Sequence, residues 1–180
     1  MAGKYAHAEF VGLDQLMQKL DNVSGELVMS ASRKGLEKTM TKMRDDARRN
    51  APYGEGADHV HLRDSIHYTT KRIASHVRGE LVASSEHAIF VEMGTGPKGE
   101  AGVGGANVSP KIRQNVTYSS EGWVYPTGKT NDKGKPGFVY TEGMPPRPYL
   151  YPAYKAHERQ VHEDVRAEIY KAIREEGLGE

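Results

Sequence analysis

The sequence predicts an α+β fold: a long N-terminal helix and a C-terminal helix packed on a small antiparallel sheet, with a long hairpin-like loop or arm. Three observations carry this. Apolar residues recur at helical spacing over about residues 25–50 and again over 149–176. Two β-branched, alternating stretches lie between them, near 66–72 and 76–83. Residues 94–146 are rich in glycine, proline and aromatics, and match neither pattern. The expected organisation is a single domain over 1–180. Residues 1–23 form a short-helix region, 24–93 and 147–176 the core, and 94–146 the extended loop or arm.

Leu13, Leu16, Met17 and Leu20 repeat at helical intervals, and Asp14 complements the dipole of that first turn. The helix should end near Asp21 or Asn22. The second helix carries Leu27, Ala31, Leu36, Met40, Met43 and Ala47 as its apolar stripe, ends in a basic turn and stops before Pro52. At ~26 residues it would be ~39 Å long, a spine for a sheet. Met40 and Met43 read as core filler.

Residues 53–61 read as a loop. The run His87 to Met93 is apolar enough for one helical turn or a strand start, and spacing leaves both open. In 94–146, two glycine clusters (94–105 and 128–137) bracket Trp123-Val124-Tyr125, and Phe138-Val139-Tyr140 follows the second. Loops beyond ~12–15 residues are uncommon unless functional or disordered, and disordered segments are usually poor in aromatics. Two short strands around a turn-rich segment, Thr127 to Gly137, reconcile these facts. An isolated hairpin is marginal in water, so its apolar face should dock on its own body or on a partner. Met144-Pro145-Pro146-Arg147-Pro148 then stiffens the approach to one last helix, running to about Glu176.

Composition narrows the function. Twenty-five Lys+Arg balance 24 Asp+Glu, which argues against a strongly basic nucleic-acid binder. Hydrophobic residues are 37%, so the core is lean and partner contacts should supply part of the stability. There is no cysteine, which excludes disulfides and thiolate metal sites. No apolar run approaches ~18 residues, and assembly from a cytoplasmic pool, with no membrane partner, is expected.

Catalytic and ligand motifs are weak. Eight histidines include no HExxH pattern, and neither His59/His61 nor His157/His162 has recognised metal-ligand spacing. Asp58, His59, His61 and Asp64 beside Ser65 are the one cluster a small hydrolase could use; a polar loop leading into a strand is the plainer reading. Gly94-Thr95-Gly96-Pro97-Lys98-Gly99 lacks P-loop spacing, and Gly102 to Gly105 has no downstream helix in this reading. Arg33, Lys34, Lys38, Lys42, Arg48 and Arg49 could face phosphates, but Glu37, Asp45 and Asp46 interleave with them. The expectation is therefore no enzyme, no cofactor and no metal.

Four strings occur in order: Gly12-Leu13-Asp14-Gln15-Leu16 before the helix ending Asn50-Ala51-Pro52; Leu62-Arg63-Asp64-Ser65-Ile66; Ala88-Ile89-Phe90-Val91-Glu92-Met93-Gly94-Thr95-Gly96; and Pro146-Arg147-Pro148-Tyr149-Leu150-Tyr151-Pro152-Ala153. Together they resemble the tail-completion, or head–tail joining, proteins of long-tailed bacteriophages. In that family the strings read Ala-Pro, Gly-x-Leu-x-x-Ser-Ile, Tyr-Ala-x-x-x-Glu-x-Gly-Thr and Pro-x-x-x-Pro-Ala. This chain departs in His-Val-His before Leu62, in His87-Ala88 for Tyr-Ala, and in a longer segment from Gly96 to Met144.

The resemblance implies a structural virion protein, with six copies in a ring at the neck or tail top. Its implied partners are its own copies, a head-side connector or adaptor, and the tail terminator or tail-tube protein. DNA would pass through the channel without sequence-specific binding. A tail terminator ring is the alternative within the same class. Gly94 and Gly96 would allow tight backbone geometry, Pro146 and Pro148 would direct the last helix, and Glu92 would either pair with an arginine or stay solvated. Trp123, Tyr125, Phe138 and Tyr140 complete the expected interface set.

Overall fold

A computed structural model describes residues 6–8, 25–53, 62–130 and 135–175. The elements are strand β1 (Ala6–Ala8), helix α1 (Gly25–Asn50), strands β2 (Ile66–Ile73) and β3 (His76–Ala83), helices α2 (Ala88–Met93), α3 (Gly96–Val103) and α4 (Pro110–Arg113), strands β4 (Trp123–Thr130) and β5 (Pro136–Thr141), and helices α5 (Leu150–His157) and α6 (Gln160–Glu175). The expected α+β class, with long N- and C-terminal helices and small antiparallel sheets, is observed. The chain divides into two compact units: Met1–Ser85 with Tyr149–Glu180, and Glu86–Pro148.

In the first unit α1 is the spine. It buries Val28, Leu36, Met40, Met43 and Ala47, and packs against β2, β3, α5 and α6. The two central methionines are each 1% exposed and act as core filler. The helix stops where Pro52 forbids a further turn. Arg48 then donates to the Ile66 carbonyl at 2.7 and 3.0 Å, fixing where β2 starts. β3 lies between β1 and β2, antiparallel to both, which explains why Gly79 to Ala83 are all buried. β2 and β3 join through Ala74-Ser75, with Ala74 at φ 49°.

One strand is new and one expectation needs correction. Strand β1 was not foreseen, and the short helix expected from Leu13 to about Asn22 lies outside the described residues. The single helix expected over 149–176 is two helices, broken by a turn at Glu158 and Arg159. Apolar spacing explains the break. A continuous helix would place position 169 about 160° round from position 153, outside a single apolar stripe. The turn resets the stripe, so Leu150 and Ala153 on α5 and Val161, Val165, Ile169 and Ile173 on α6 are all buried. Tyr149, 0% exposed, anchors the start of α5.

The helices α1 and α6 meet at Gly35. A Cβ there would lie 2.5 Å from Val165 Cα and 2.8 Å from the Asp164 carbonyl oxygen, so only glycine permits this approach. One turn along, Asp164 is 7% exposed and accepts from Thr39 Oγ1 at 2.8 Å. Lys38 and Lys42 reach the same carboxylate at 3.2 and 3.1 Å. Burial pushes its pKa up, but the bonds from Thr39, Lys42 and Lys38 outweigh burial and hold it below the usual carboxylate range.

Candidate assembly interface

The second unit has a small core of its own, Met93, Val103 and Val108, with Ile89, Ile112, Val116 and Tyr118 packed around it. Helices α3 and α4 occupy a stretch expected as loop or arm. The apolar run left open between helix and strand is α2. The glycine cluster that follows is α3, with Pro97 in its first turn, where no amide donor is needed. The four-residue α4 does follow Gly105, contrary to the expectation that no helix lay downstream. Met93 and Val103, ten residues apart, are brought together because α2 and α3 turn sharply at Gly94 to Gly96.

That turn rests on glycines. Gly94 has φ 78°, Gly96 φ 59° and, on the returning strand, Gly143 has φ 89°. The two chains cross as an antiparallel bridge, with Thr95 N–H on the Met144 carbonyl at 2.9 Å and Met144 N–H on the Thr95 carbonyl at 3.2 Å. A Cβ on Gly94 would lie 2.7 Å from Met144 O, and one on Gly143 would overlap Thr95 O. Beside the bridge, Arg147 N–H reaches the Val91 carbonyl at 2.8 Å, and Pro146 lies against Gly102. Pro148 is the last residue of this unit. Glu92 is only 3% exposed on α2, so it is buried, not a solvated carboxylate.

From this bridge projects the β4–β5 hairpin. Trp123 pairs with Thr141, Val124 with Tyr140, Tyr125 with Val139 and Pro126 with Phe138. Trp123 and Tyr125 therefore share one face, and Phe138 and Tyr140 lie on the other together with Val124. Neither face is covered. Side chains of the first face are 41–45% exposed, and Val124, Phe138 and Tyr140 of the second are 60–62% exposed. At the base, the Trp123 ring is 2.8 Å from where a Gly96 Cβ would stand. Sequence reasoning placed both strands but did not single out Val124, Val139, Phe90 or Gly143. Only the pairing register and the backbone angles reveal them.

An apolar groove of about 410 Å³ opens at the hairpin base, between Ile89, Phe90 and Met93 on one side and Val116, Tyr118 and Trp123 on the other. Phe90 stands half exposed on its rim. Tyr118 donates its hydroxyl to the Met93 carbonyl at 2.8 Å. Burial raises the pKa of that hydroxyl; Arg113 opposes the shift and Glu100 adds to it, so the proton stays in place for the bond.

The other sequence candidates fare differently. Asp58, His59 and His61 lie outside the described residues. Ser65 is 8% exposed and gives its hydroxyl to the Leu62 carbonyl at 2.8 Å, the geometry of a turn cap. Among the described residues no group of three His, Asp or Glu could hold a metal ion, and no helix is long and apolar enough to cross a membrane. The cations of α1 are largely engaged within the unit. Arg33 pairs with Glu37, Lys38 and Lys42 with Asp164, Arg49 with Asp46, and Arg48 with the β2 backbone.

Core packing and an exposed aromatic hairpin define a small α+β protein. Residues 14–94 match the family model described as "Bacteriophage HK97-gp10, putative tail-component". The resemblance read from the sequence is borne out over that span, and it supports a structural role in a phage tail. The matched span runs through α1, β2, β3 and α2 and ends at Gly94; the hairpin lies beyond it. No curated protein and no solved structure matches the chain.

Proposed function

We propose that this protein is a structural, non-enzymatic virion component that completes the tail and joins it to the head, with six copies in a ring. The observation that carries the proposal is the hairpin. Four aromatics stand open on its two faces in a chain whose residues 14–94 carry the pattern of a phage tail-component family. Exposed aromatic surface of this kind marks sites of association. In this reading Trp123, Tyr125, Phe138 and Tyr140 make the intersubunit contact. Gly94 and Gly96 allow the tight backbone geometry where the chain leaves α2, Pro146 and Pro148 direct the last helix, and Glu92 supports α2. The further partners are a head-side connector or adaptor and the tail terminator or tail-tube protein. DNA would traverse the ring without sequence readout, in keeping with the engagement of most α1 cations by carboxylates and backbone.

Chemical cross-linking of assembled particles tests the placement. Cross-links from this chain to both a head-side adaptor and a tail-side protein are expected. Cross-links to the tail-tube protein alone would replace the completion role by that of a tail terminator.

A further inference from the structure

We infer that the more exposed face of the hairpin is a plug for the groove of a second copy: Phe138 of one chain enters the groove of the next, between Phe90 and Val116. This rests on the ring reading above and says what contact builds the ring.

The first reason is area. Phe138 and Tyr140 on the plug face, about 200 Å² each and 62% exposed, leave about 250 Å² open. That is about a third of the ~800 Å² one partner contributes to a stable interface. A second surface of like character must add to it, and the groove is such a surface. Its volume, about 410 Å³, lies in the range of sites that take up side chains or small ligands. Its lining is aliphatic and aromatic, and the Tyr118 bond to Met93 holds it preformed.

The second reason is direction. Trp123 lines the chain's own groove and lies on one face of the hairpin, whereas Phe138 lies on the opposite face, three pairs further out. That is about 10 Å along the ladder. A two-stranded ladder cannot turn Phe138 onto the Trp123 face without breaking its register. Plug and groove on one unit therefore cannot satisfy each other, but each can satisfy its counterpart on another copy. Unlike surfaces that match between identical chains make a head-to-tail contact, which leaves one plug and one groove unfilled until a ring closes.

The chain has no cysteine, so engineered pairs report without background. The doubly substituted chain, Phe138→Cys with Phe90→Cys, is oxidised both as purified protein at high concentration and in assembled particles. A covalent ladder of dimers and higher oligomers is expected in at least one setting, with each single variant remaining uncross-linked. Phe138→Cys alone forming dimers would mean that hairpins face each other, and would overturn the inference. So would rings of full mass that yield no ladder, and in that case the ring reading itself would stand. An unsubstituted chain that stays strictly monomeric even with tail proteins would remove both. As a second measurement, Phe138→Asp and Phe90→Asp should each weaken self-association at least about tenfold. Tyr170→Asp, at an exposed aromatic of α6, should not.

Discussion

Asp164 shows how much of this molecule depends on single side chains. It lies almost buried at the α1–α6 contact and serves as acceptor for Thr39, Lys38 and Lys42. Asp164→Ala should cost about 2–3 kcal/mol, because Thr39, itself 0% exposed, loses its acceptor. The effect has a pH signature. The native pKa is depressed, so the carboxylate's contribution is complete above the ordinary carboxylate value of about 3.9 and is lost as pH falls through the lower native value. Urea unfolding of wild type and Asp164→Asn should therefore differ most near neutral pH and converge in strong acid. A constant gap at all pH values would mean that packing, not charge, sets the difference. Gly143 is the corresponding residue in the second unit. At φ 89°, with no room for a Cβ beside Thr95, Gly143→Ala should destabilise that unit by about 2 kcal/mol or more, read by limited proteolysis of the hairpin base.

At the scale of elements, helix α1 and the α6 stripe work through close approach. Gly35→Ala places a methyl against the Val165 backbone. Despite the ~1 kcal/mol helix-propensity gain, it should lower stability by about 1–2 kcal/mol in urea denaturation. Gly25→Ala, with open space around it at the start of the same helix, should be neutral or slightly stabilising. These cases also mark what was legible in the sequence. The α1 helix was legible because Pro52 ends a long 3.6-residue pattern, and β2, β3 and the hairpin strands because β-branched and aromatic residues alternate between turn residues. The α5–α6 break was not, because Ala153 and Val161 are compatible with one stripe and only the drift to Ile169 departs from it. Helix α3 was hidden by glycine, whose low helix propensity is overridden once Val103 finds Met93, and α4 is a single four-residue turn, too short for a periodic pattern. The groove was invisible for the same reason: Phe90 and Val116 are far apart in the chain, and only that small core brings them together.

At the scale of the whole molecule, the chain has a lean helix-and-sheet unit and a second unit whose hairpin aromatics are exposed. The chain's stability and its usefulness then diverge: substitutions at Asp164 or Gly35 should destabilise it, whereas substitutions at Phe138 should leave a folded protein that fails to assemble. The most direct test of the central claim is the mass of the purified protein, measured alone and mixed with tail proteins. Ring-sized oligomers in at least one of these conditions, lost in Phe138→Asp while its circular dichroism stays that of wild type, are expected. A strict monomer under both conditions would contradict the account.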